Sequence, residues 1–200
     1  PYELNISYFD AVSDPESPEP LSLQVKRFIC SQAIMLSLKG VPGIYFHSLF
    51  GSRNWQEGVE ETGEKRSINR EKLNLVDLVR DLEESDSLRS QVFSDYSLLL
   101  EVRRANKAFS PESDQRVLDL GTRFFAVLRL PSDRDKAVLC LNNLTAKPRT
   151  ASLPRILLEE IGAVSLRDLI SDRFEEDVSS EGLSIALSPY ETVWLRGEQK

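Results

Sequence analysis

The 200-residue sequence contains only two cysteines, one histidine and one methionine, and this scarcity excludes several kinds of site. With a single histidine and no clustered cysteines, the chain lacks the ligands of a structural zinc site, so we expect no metal. Cys30 and Cys140 lie far apart in apolar surroundings. We therefore expect two buried free thiols rather than a disulfide, which is the cysteine usage of a cytoplasmic protein.

The chain also has little positive charge and no long hydrophobic run. Its 25 Lys and Arg residues are outnumbered by 32 Asp and Glu residues, which gives a net charge of −7. A nucleic-acid-binding protein needs a basic surface, so we expect no nucleic-acid partner. The longest apolar run is far shorter than the roughly 20 residues of a membrane-spanning helix, so we expect no membrane partner.

The most informative stretch runs from Gly40 to Arg70. It begins with the short apolar run Ile44–Phe46, which follows Pro42 and Gly43. A run this short, with β-branched and aromatic residues after Gly and Pro, predicts one buried strand. A long polar loop follows it. Such loops are uncommon in compact domains and are often functional, and in an α/β barrel the loops after the strands build the active site.

Three segments around this stretch are predicted to be helical. Leu21–Lys39 carries a wide apolar surface, with Ser22 as N-cap and Gly40 as C-cap. After the loop, apolar residues at helical spacing predict helices over Leu73–Leu82 and Asp86–Ala108. A helix, a Gly-Val-Pro-Gly turn and a buried strand form an αβ unit, which is the repeating element of a (β/α) barrel.

A polar break at Ser110–Asp114 is the predicted domain boundary. Beyond it the hydrophobic period changes to two, and short strand segments separated by turn residues indicate a small antiparallel β-sandwich. We therefore predict two domains, residues 1–109 and 110–200. The predicted strands are Arg116–Leu120, Arg123–Leu130, Lys136–Asn142, Leu166–Ile170, Leu183–Leu187 and Tyr190–Arg196.

The N-terminal domain contains too few elements to close a barrel. One αβ unit and a terminal helix cannot cover both faces of a barrel strand. We therefore interpret the chain as a fragment whose earlier barrel strands lie outside it. The predicted fold class is α/β plus all-β, a C-terminal remnant of a (β/α)8 barrel followed by a small antiparallel β-sandwich.

Four parts of the sequence together carry a family resemblance. The first is a pair of segments, Tyr2–Asn5 (YELN) and Tyr8–Ala11 (YFDA). The second is Gly40–Tyr45 (GVPGIY), the third is Lys65–Arg70 (KRSINR), and the fourth is Pro189–Leu195 (PYETVWL). Together they resemble the C-terminal portion of the sucrose-phosphorylase branch of the α-amylase clan, glycoside hydrolase family 13. In that branch the first pair reads YQVN and YYDAL, GVPGIY is similar to the eighth barrel strand, and the third segment reads GRDINR.

Three departures from that pattern bear on the substrate. Glu3 stands where sucrose phosphorylases carry Gln, and Ser67 stands where they carry Asp. The loop His47–Trp55 also differs from their VGLLAG type. It is more similar to the relatives that use glucosylglycerate, whose glycerate acceptor is an anion. The resemblance therefore leaves both glucosylglycerate and a sucrose-type sugar open as the α-glucoside.

The resemblance implies a retaining phosphorylase that transfers a glucosyl group between an α-glucoside and phosphate, with no cofactor. A retaining enzyme uses one carboxyl group as nucleophile and one as acid/base. In this family those groups come from strands that precede the Tyr2–Asn5 segment, so the resemblance implies no catalytic residue in this chain. The implied partners are a small sugar, phosphate and the missing N-terminal barrel part of the same protein, without which the fragment is expected to be inactive.

The resemblance does imply substrate-binding residues. Arg66 matches the family arginine that contacts the glucosyl unit, and its planar guanidinium suits sugar hydroxyls or an anionic acceptor. The alternative is that Arg66 is one more solvated charge in a polar loop. Arg53 is the candidate for recognition of a substrate carboxylate.

The other predicted binding residues each have a structural alternative. Tyr2 and Glu3 match positions that line the acceptor side, and packing is equally compatible with them. Asn69 and Arg70 either contact the substrate or orient their loop through hydrogen bonds to backbone carbonyls. His47 is interpreted as an anchor of its loop rather than an acid or base.

Two other functions stay open at this point. One is hydrolysis or transglucosylation by the same clan, which differs only in what attacks the glucosyl intermediate. The other is a non-catalytic carbohydrate-binding module that uses the β-sandwich. Against the module, the sandwich aromatics lie in apolar strand patterns, which are typical of core residues.

Overall fold

A computed structural model describes residues 4–133, 136–175 and 182–198 of the chain. The chain divides into two compact units. Unit 1 comprises the described residues up to Ile29 together with Gly43–Ser97, and unit 2 comprises Cys30–Pro42 together with the described residues from Leu98 onwards. The domain boundary after residue 109 stays a prediction.

Helices dominate the first half of the chain. The three predicted helices are confirmed as α2, α4 and α5, each somewhat shorter than predicted, whereas α1, α3 and α6 are additional. Within the described residues, no helix is both long and apolar enough to cross a bilayer. The α-helices are α1 Tyr8–Val12, α2 Leu21–Ser37, α3 Gln56–Thr62, α4 Leu75–Glu83, α5 Leu88–Ala105 and α6 Arg155–Glu160.

The core of unit 1 forms around Phe28 of α2. Phe28 is fully buried and packs with Phe9 of α1 and Val92 of α5, and the rings of Phe9 and Phe28 lie 5.1 Å apart. Helix α1 begins after Ser7, whose hydroxyl accepts a hydrogen bond from the backbone N–H of Asp10 at 3.2 Å. This cap satisfies an otherwise unpaired donor and holds Asp10 at the edge of the core.

The buried strand predicted at Ile44–Phe46 is wrong. The backbone is extended at Tyr45 (φ −76°, ψ 137°), but Phe46 already begins a short 3-10 helix, Phe46–Phe50. Residues 41–45 belong to no strand among the described residues, and Tyr45 and Phe46 are 51% and 52% exposed. An extended segment becomes a strand only when a neighbour takes up its backbone hydrogen bonds, and the local sequence pattern does not show whether that neighbour is present.

Unit 2 contains the predicted antiparallel β-sandwich. Among the described residues, one sheet has the strand order β1-β2-β3-β8-β5-β6 and a second pairs β4 with β7. Both sheets contribute to a single apolar core, with Leu139 and Leu195 from the first sheet and Ile185 from the second. The six predicted strands are confirmed, and β4 and β6 are additional. The strands are β1 Asp114–Leu118, β2 Phe124–Leu130, β3 Val138–Asn143, β4 Arg149–Pro154, β5 Ser165–Asp168, β6 Phe174–Glu175, β7 Gly182–Leu187 and β8 Thr192–Glu198.

Both cysteines are free and buried, which confirms the sequence prediction. Burial raises the pKa of the Cys30 thiol to about 11, and it raises the pKa of the Cys140 thiol further. Because the thiolate is the reactive form, these cysteines are inert at neutral pH.

Candidate functional site

The polar stretch after Tyr45 folds back on itself rather than forming an open loop. Its first turn ends at Gly51, which adopts a left-handed conformation (φ 56°) and donates its N–H to the carbonyls of His47 and Ser48. A Cβ at Gly51 would lie 2.8 Å from Cγ2 of Val92. The position therefore requires glycine for its backbone conformation and for its close packing against α5.

Arg53 packs against helix α1 at the edge of the unit 1 core. Its Nη1 donates to Oδ1 of Asp10 at 2.9 Å and its Nη2 donates to Oε1 of Gln24 at 2.7 Å. The Arg53 side chain is 34% exposed, whereas that of Asp10 is 2% exposed. The guanidinium also lies 4.9 Å from the centre of the Phe9 ring, a cation–π distance.

Asp10 is held by two neighbours on this loop. Besides Arg53, the backbone N–H of Asn54 donates to Oδ2 of Asp10 at 2.7 Å. Oδ1 of Asn54 in turn accepts from the N–H of Ser7 at 2.7 Å. These bonds fix residues 53 and 54 to α1, so the carboxylate of Asp10 is a structural counter-ion of the loop.

His47 anchors the same loop at its other end. Its Nδ1 lies 3.0 Å from Oγ of Ser52, and its carbonyl accepts from the N–H of Ser52 at 3.0 Å. Burial lowers the pKa of His47, and nearby Glu71 opposes that shift. Arg89 donates to the same Ser52 hydroxyl at 3.4 Å. This arrangement agrees with an anchoring role for His47.

The two large aromatic residues of the loop are packed. Phe50 stacks on Phe93 of α5, with ring centres 5.4 Å apart and planes inclined by 13°. The backbone N–H of Trp55 donates to the carbonyl of Ile68 at 2.7 Å, and a Cβ added at Gly58 would collide with the Trp55 ring. Trp55 therefore joins α3 to the segment that carries Arg66.

Arg66 lies on a second 3-10 helix, Lys65–Asn69, and its side chain is exposed. Ile68 is 6% exposed and anchors this helix. Nδ2 of Asn69 donates to the carbonyl of Ile6 at 3.3 Å, and the carbonyl of Asn69 accepts from the hydroxyl of Tyr45 at 3.0 Å. The helix is thus fixed on one side while Arg66 stays accessible.

The structure therefore brings some of the predicted site residues onto one short segment. Arg66, Asn69 and Arg70 belong to this segment, and Arg70 is exposed at its end. Arg53 lies on the neighbouring loop with internal partners. Tyr2 and Glu3 lie outside the described residues. The substrate-binding assignment of all six residues stays a prediction.

Sequence reasoning missed the residues that support these loops. Asp10, Gln24 and Arg89 hold the segment between His47 and Asn54 through long-range hydrogen bonds. These bonds join residues that are 43, 29 and 37 positions apart in the sequence. No local pattern signals such a pair.

Among the described residues, no group of three or more His, Cys, Asp and Glu side chains is placed to hold a metal ion. The buried carboxylate of this region, Asp10, is instead satisfied by Arg53 and Asn54. The chemistry available from the described residues of this region is therefore the binding of polar or anionic groups.

Comparison with known proteins links this arrangement to carbohydrate enzymes. No family model matches the chain. It is 41% identical over 98% of its length to a glucosylglycerate phosphorylase from Spirochaeta thermophila, and it spans 33% of that protein. It is 32% identical, again over 98% of its length, to the glucosylglycerate phosphorylase of Escherichia coli strain K12, and it spans 32% of that protein. The chain thus spans about a third of the length of these curated relatives.

Solved structures show the same fold at much lower sequence identity. The chain matches AmyP in complex with maltose with a TM-score of 0.74 at 18% identity, over 94% of this chain and 37% of that one. It matches the MutB E254Q mutant in complex with sucrose with a TM-score of 0.64 at 15% identity, over 98% of this chain and 42% of that one. Sequence and fold agree: the chain is similar to about a third of a glucosylglycerate phosphorylase, and it has the fold of the C-terminal part of the solved AmyP and MutB structures.

Proposed function

We propose that this chain is the C-terminal part of a retaining glucosylglycerate phosphorylase. The observation that carries the proposal is the 41% identity to a phosphorylase of that name over 98% of the chain. In the proposed reaction the bond between the anomeric carbon of glucose and the glycerate oxygen breaks, and glycerate leaves with a proton. An oxygen of phosphate then forms the new bond to that carbon, which gives glucose 1-phosphate.

The reacting carboxyl groups of this enzyme lie outside the chain. A retaining mechanism needs one carboxylate as nucleophile and a second carboxyl group as acid and then base. In unit 1, Asp10 is buried, but it is bonded to Arg53 and to the backbone of Asn54. Such a charge is committed to structure, which favours a chain that contributes recognition rather than bond cleavage.

Arg66 is the proposed contact to the glucosyl unit. It is exposed on a 3-10 helix that Ile68 and Asn69 hold in place. A guanidinium presents several donors in a fixed plane, so it can bind two oxygens at once. Arg70 at the end of the same helix is proposed to bind substrate or to position this helix.

Arg53, Tyr2 and Glu3 complete the proposed acceptor region. Glycerate carries a carboxylate, and Arg53 is the cation proposed to attract it. Because Arg53 already binds Asp10 and Gln24, the remaining exposed part of its guanidinium is what a ligand would meet. Tyr2 and Glu3 are assigned here only through the family motif.

The proposed partner of this chain is the N-terminal barrel part of the same protein. The exposed aromatic residues Tyr45 and Phe46, at 51% and 52% exposure, occupy the segment that resembles the last barrel strand. Packing of the N-terminal barrel part against these two rings would remove their exposed apolar surface from water. The two free buried cysteines fit a cytoplasmic location.

The proposal is tested by supplying the full-length protein with glucosylglycerate, with and without phosphate. We expect glucose 1-phosphate and glycerate in equal amounts, formed only when phosphate is present. Sucrose is the matched control substrate and is expected to react far more slowly. Release of free glucose at the same rate without phosphate would assign the protein to the hydrolases instead.

A further inference from the structure

A concave surface lies at one end of the β-sandwich in unit 2. It is an open depression of about 560 Å³, which is the size range of small-molecule sites. Its walls come from the residues before β2, β6 and β8 and from the start of β4. Its polar and aromatic lining residues include Arg123, Phe124, Arg149, Arg173, Ser188 and Glu191. None of these is among the predicted substrate-binding residues.

The charges of this depression do not cancel. Nη1 of Arg173 lies 3.2 Å from Oε1 of Glu191, and Oε2 of Glu191 accepts from the N–H of Ser188 at 2.5 Å. Glu191 is therefore committed to Arg173. Arg123 and Arg149 form no ion pair with any carboxylate of the described residues. Among those residues, the lining of the depression therefore holds two more cations than anions, in a chain whose net charge is −7.

The rim of the depression is held rigidly by Asn143 at the end of β3. Asn143 is fully buried, and its Nδ2 donates to the carbonyls of Lys147 and Ser188, both at 2.8 Å. Its Oδ1 accepts from the backbone N–H of Thr145 at 3.0 Å. One side chain thus fixes the loop that leads to Arg149 and the loop that leads to Glu191.

The rim orients the Arg149 side chain through one hydrogen bond. Its Nε donates to Oγ1 of Thr145 at 3.3 Å. Within the described residues its two Nη groups have no hydrogen-bond partner. Two guanidinium groups that line one concave site can supply the positive charge and the N–H donors that a phosphate group binds.

We propose that this depression binds the phosphate group of a small ligand, either inorganic phosphate or a sugar phosphate. Arg123 and Arg149 supply the positive charge and the hydrogen-bond donors. The backbone N–H groups of Thr145 and Ser188 on the rim already donate to Asn143 and Glu191. The choice of glucose 1-phosphate as the sugar phosphate rests on the proposed function. The charge argument for a phosphate group does not.

The test titrates the 200-residue chain with inorganic phosphate, glucose 1-phosphate and neutral glucose by isothermal titration calorimetry at constant ionic strength. Constant ionic strength is needed because salt screens exposed charges. We expect saturable binding of the phosphate-bearing probes and none of glucose. Tighter binding of glucose 1-phosphate assigns the site to a sugar phosphate, and equal binding assigns it to the free anion; both results support the proposal.

Arginine variants distinguish binding in the depression from a general attraction of phosphate to positive charge on the protein surface. Arg123→Gln combined with Arg149→Gln is expected to weaken phosphate binding at least ten-fold, and Arg123→Gln alone at least three-fold. The matched control is Arg104→Gln, an exposed position on α5 outside the depression, which is expected to change affinity less than two-fold. Absence of saturable phosphate binding, or equal weakening by Arg104→Gln, would overturn the proposal.

This outcome is independent of catalysis. The measurement is binding to residues that all lie in unit 2, and it requires no reaction. If phosphate binds as expected and the full-length protein proves to be a hydrolase, the proposed function fails alone. If the full-length protein is a phosphorylase and this chain binds no phosphate, the inference fails alone.

Discussion

Asp10 is a buried carboxylate among the described residues of unit 1, and its bond to Arg53 ties the loop after Phe50 to α1. Removing the guanidinium would leave Asp10, at 2% side-chain exposure, with the backbone N–H of Asn54 as its remaining partner in the described structure. We predict that Arg53→Ala lowers the free energy of unfolding by about 2 kcal/mol, because a buried charge then lacks its counter-ion. Urea denaturation of the 200-residue chain measures this change.

Arg80 on α4 provides the matched control. It pairs with Asp77 at 3.1 Å, but both side chains are more than half exposed. Arg80→Ala should cost less than about 0.5 kcal/mol, as is usual for surface ion pairs. Equal losses for Arg53→Ala and Arg80→Ala would show that the Asp10 pair has no special structural role.

At the residue scale, the sequence singled out candidate binding residues but not the partners that hold them. Arg53 and Arg66 were singled out as cations of a binding loop, and both lie on the segment that the sequence marked as functional. The sequence did not predict that Arg53 would bind Asp10, since the two are 43 residues apart. Such long-range pairs depend on how α1 and the loop meet, which residue spacing does not encode.

Helix α3 depends on one small residue. Gly58 lies beneath the Trp55 ring, and a Cβ there would collide with that ring. We predict that Gly58→Ala destabilises the chain by about 2 kcal/mol, because the cost of displacing a packed indole exceeds the gain in helix propensity. The emission maximum of Trp55 should shift at the same time, and it can be separated from Trp194 with a Trp194→Phe background.

Gly43 is the control for this substitution. A Cβ at Gly43 would meet no atom within 4 Å, and its φ is not positive. Gly43→Ala should therefore leave both stability and Trp55 emission unchanged. If Gly58→Ala behaves in the same way as Gly43→Ala, the Trp55 contact does not hold α3.

Elements with a strong hydrophobic period were the ones that the sequence predicted. Helix α2 was found within two residues of its predicted end, since its apolar surface extends along its whole length. Helix α3, QEGVEET, offers one large apolar residue and therefore no period. Strand β4 buries only Ala151 and Leu153 among polar neighbours, so its alternation is too short to recognise. The wrong strand at Ile44–Phe46 had the right composition but no pairing partner.

At the scale of the whole molecule, buried thiol and phenol groups make the free energy of unfolding fall as pH rises into the alkaline range. Burial raises the pKa of Cys30 from 9.0 to about 11 and that of Tyr96 from 10.0 to about 12. The folded chain keeps protons that the unfolded chain loses above pH 9, so this contribution is complete below pH 9 and is lost as pH rises through the folded values. We predict that the free energy of unfolding falls by up to about 3 kcal/mol for each group.

Urea denaturation at several pH values between 8 and 11 measures this loss. The variant Cys30→Ala lacks one of these buried acidic groups, and its stability should decline less steeply between pH 9 and pH 11. A free energy of unfolding that stays constant or rises over this range would contradict the burial of these protons.

The resemblance to family 13 explains more of the molecule than any single element does. The helices, the β-sandwich and the match to about a third of each curated relative are all what that resemblance implied. The sequence did not predict the depression in unit 2. It is formed by residues scattered between positions 123 and 191, which only the folded sandwich brings together.

The most direct test of the account is the turnover of the full-length protein after Arg66→Ala, measured as glucose 1-phosphate released from glucosylglycerate and phosphate. We predict a loss of about 100-fold, which corresponds to about 3 kcal/mol of transition-state stabilisation. Lys65→Ala, at the adjacent exposed position, should change turnover less than two-fold. An Arg66→Ala enzyme with unchanged turnover would contradict the central claim that this chain supplies the recognition arginine of a phosphorylase.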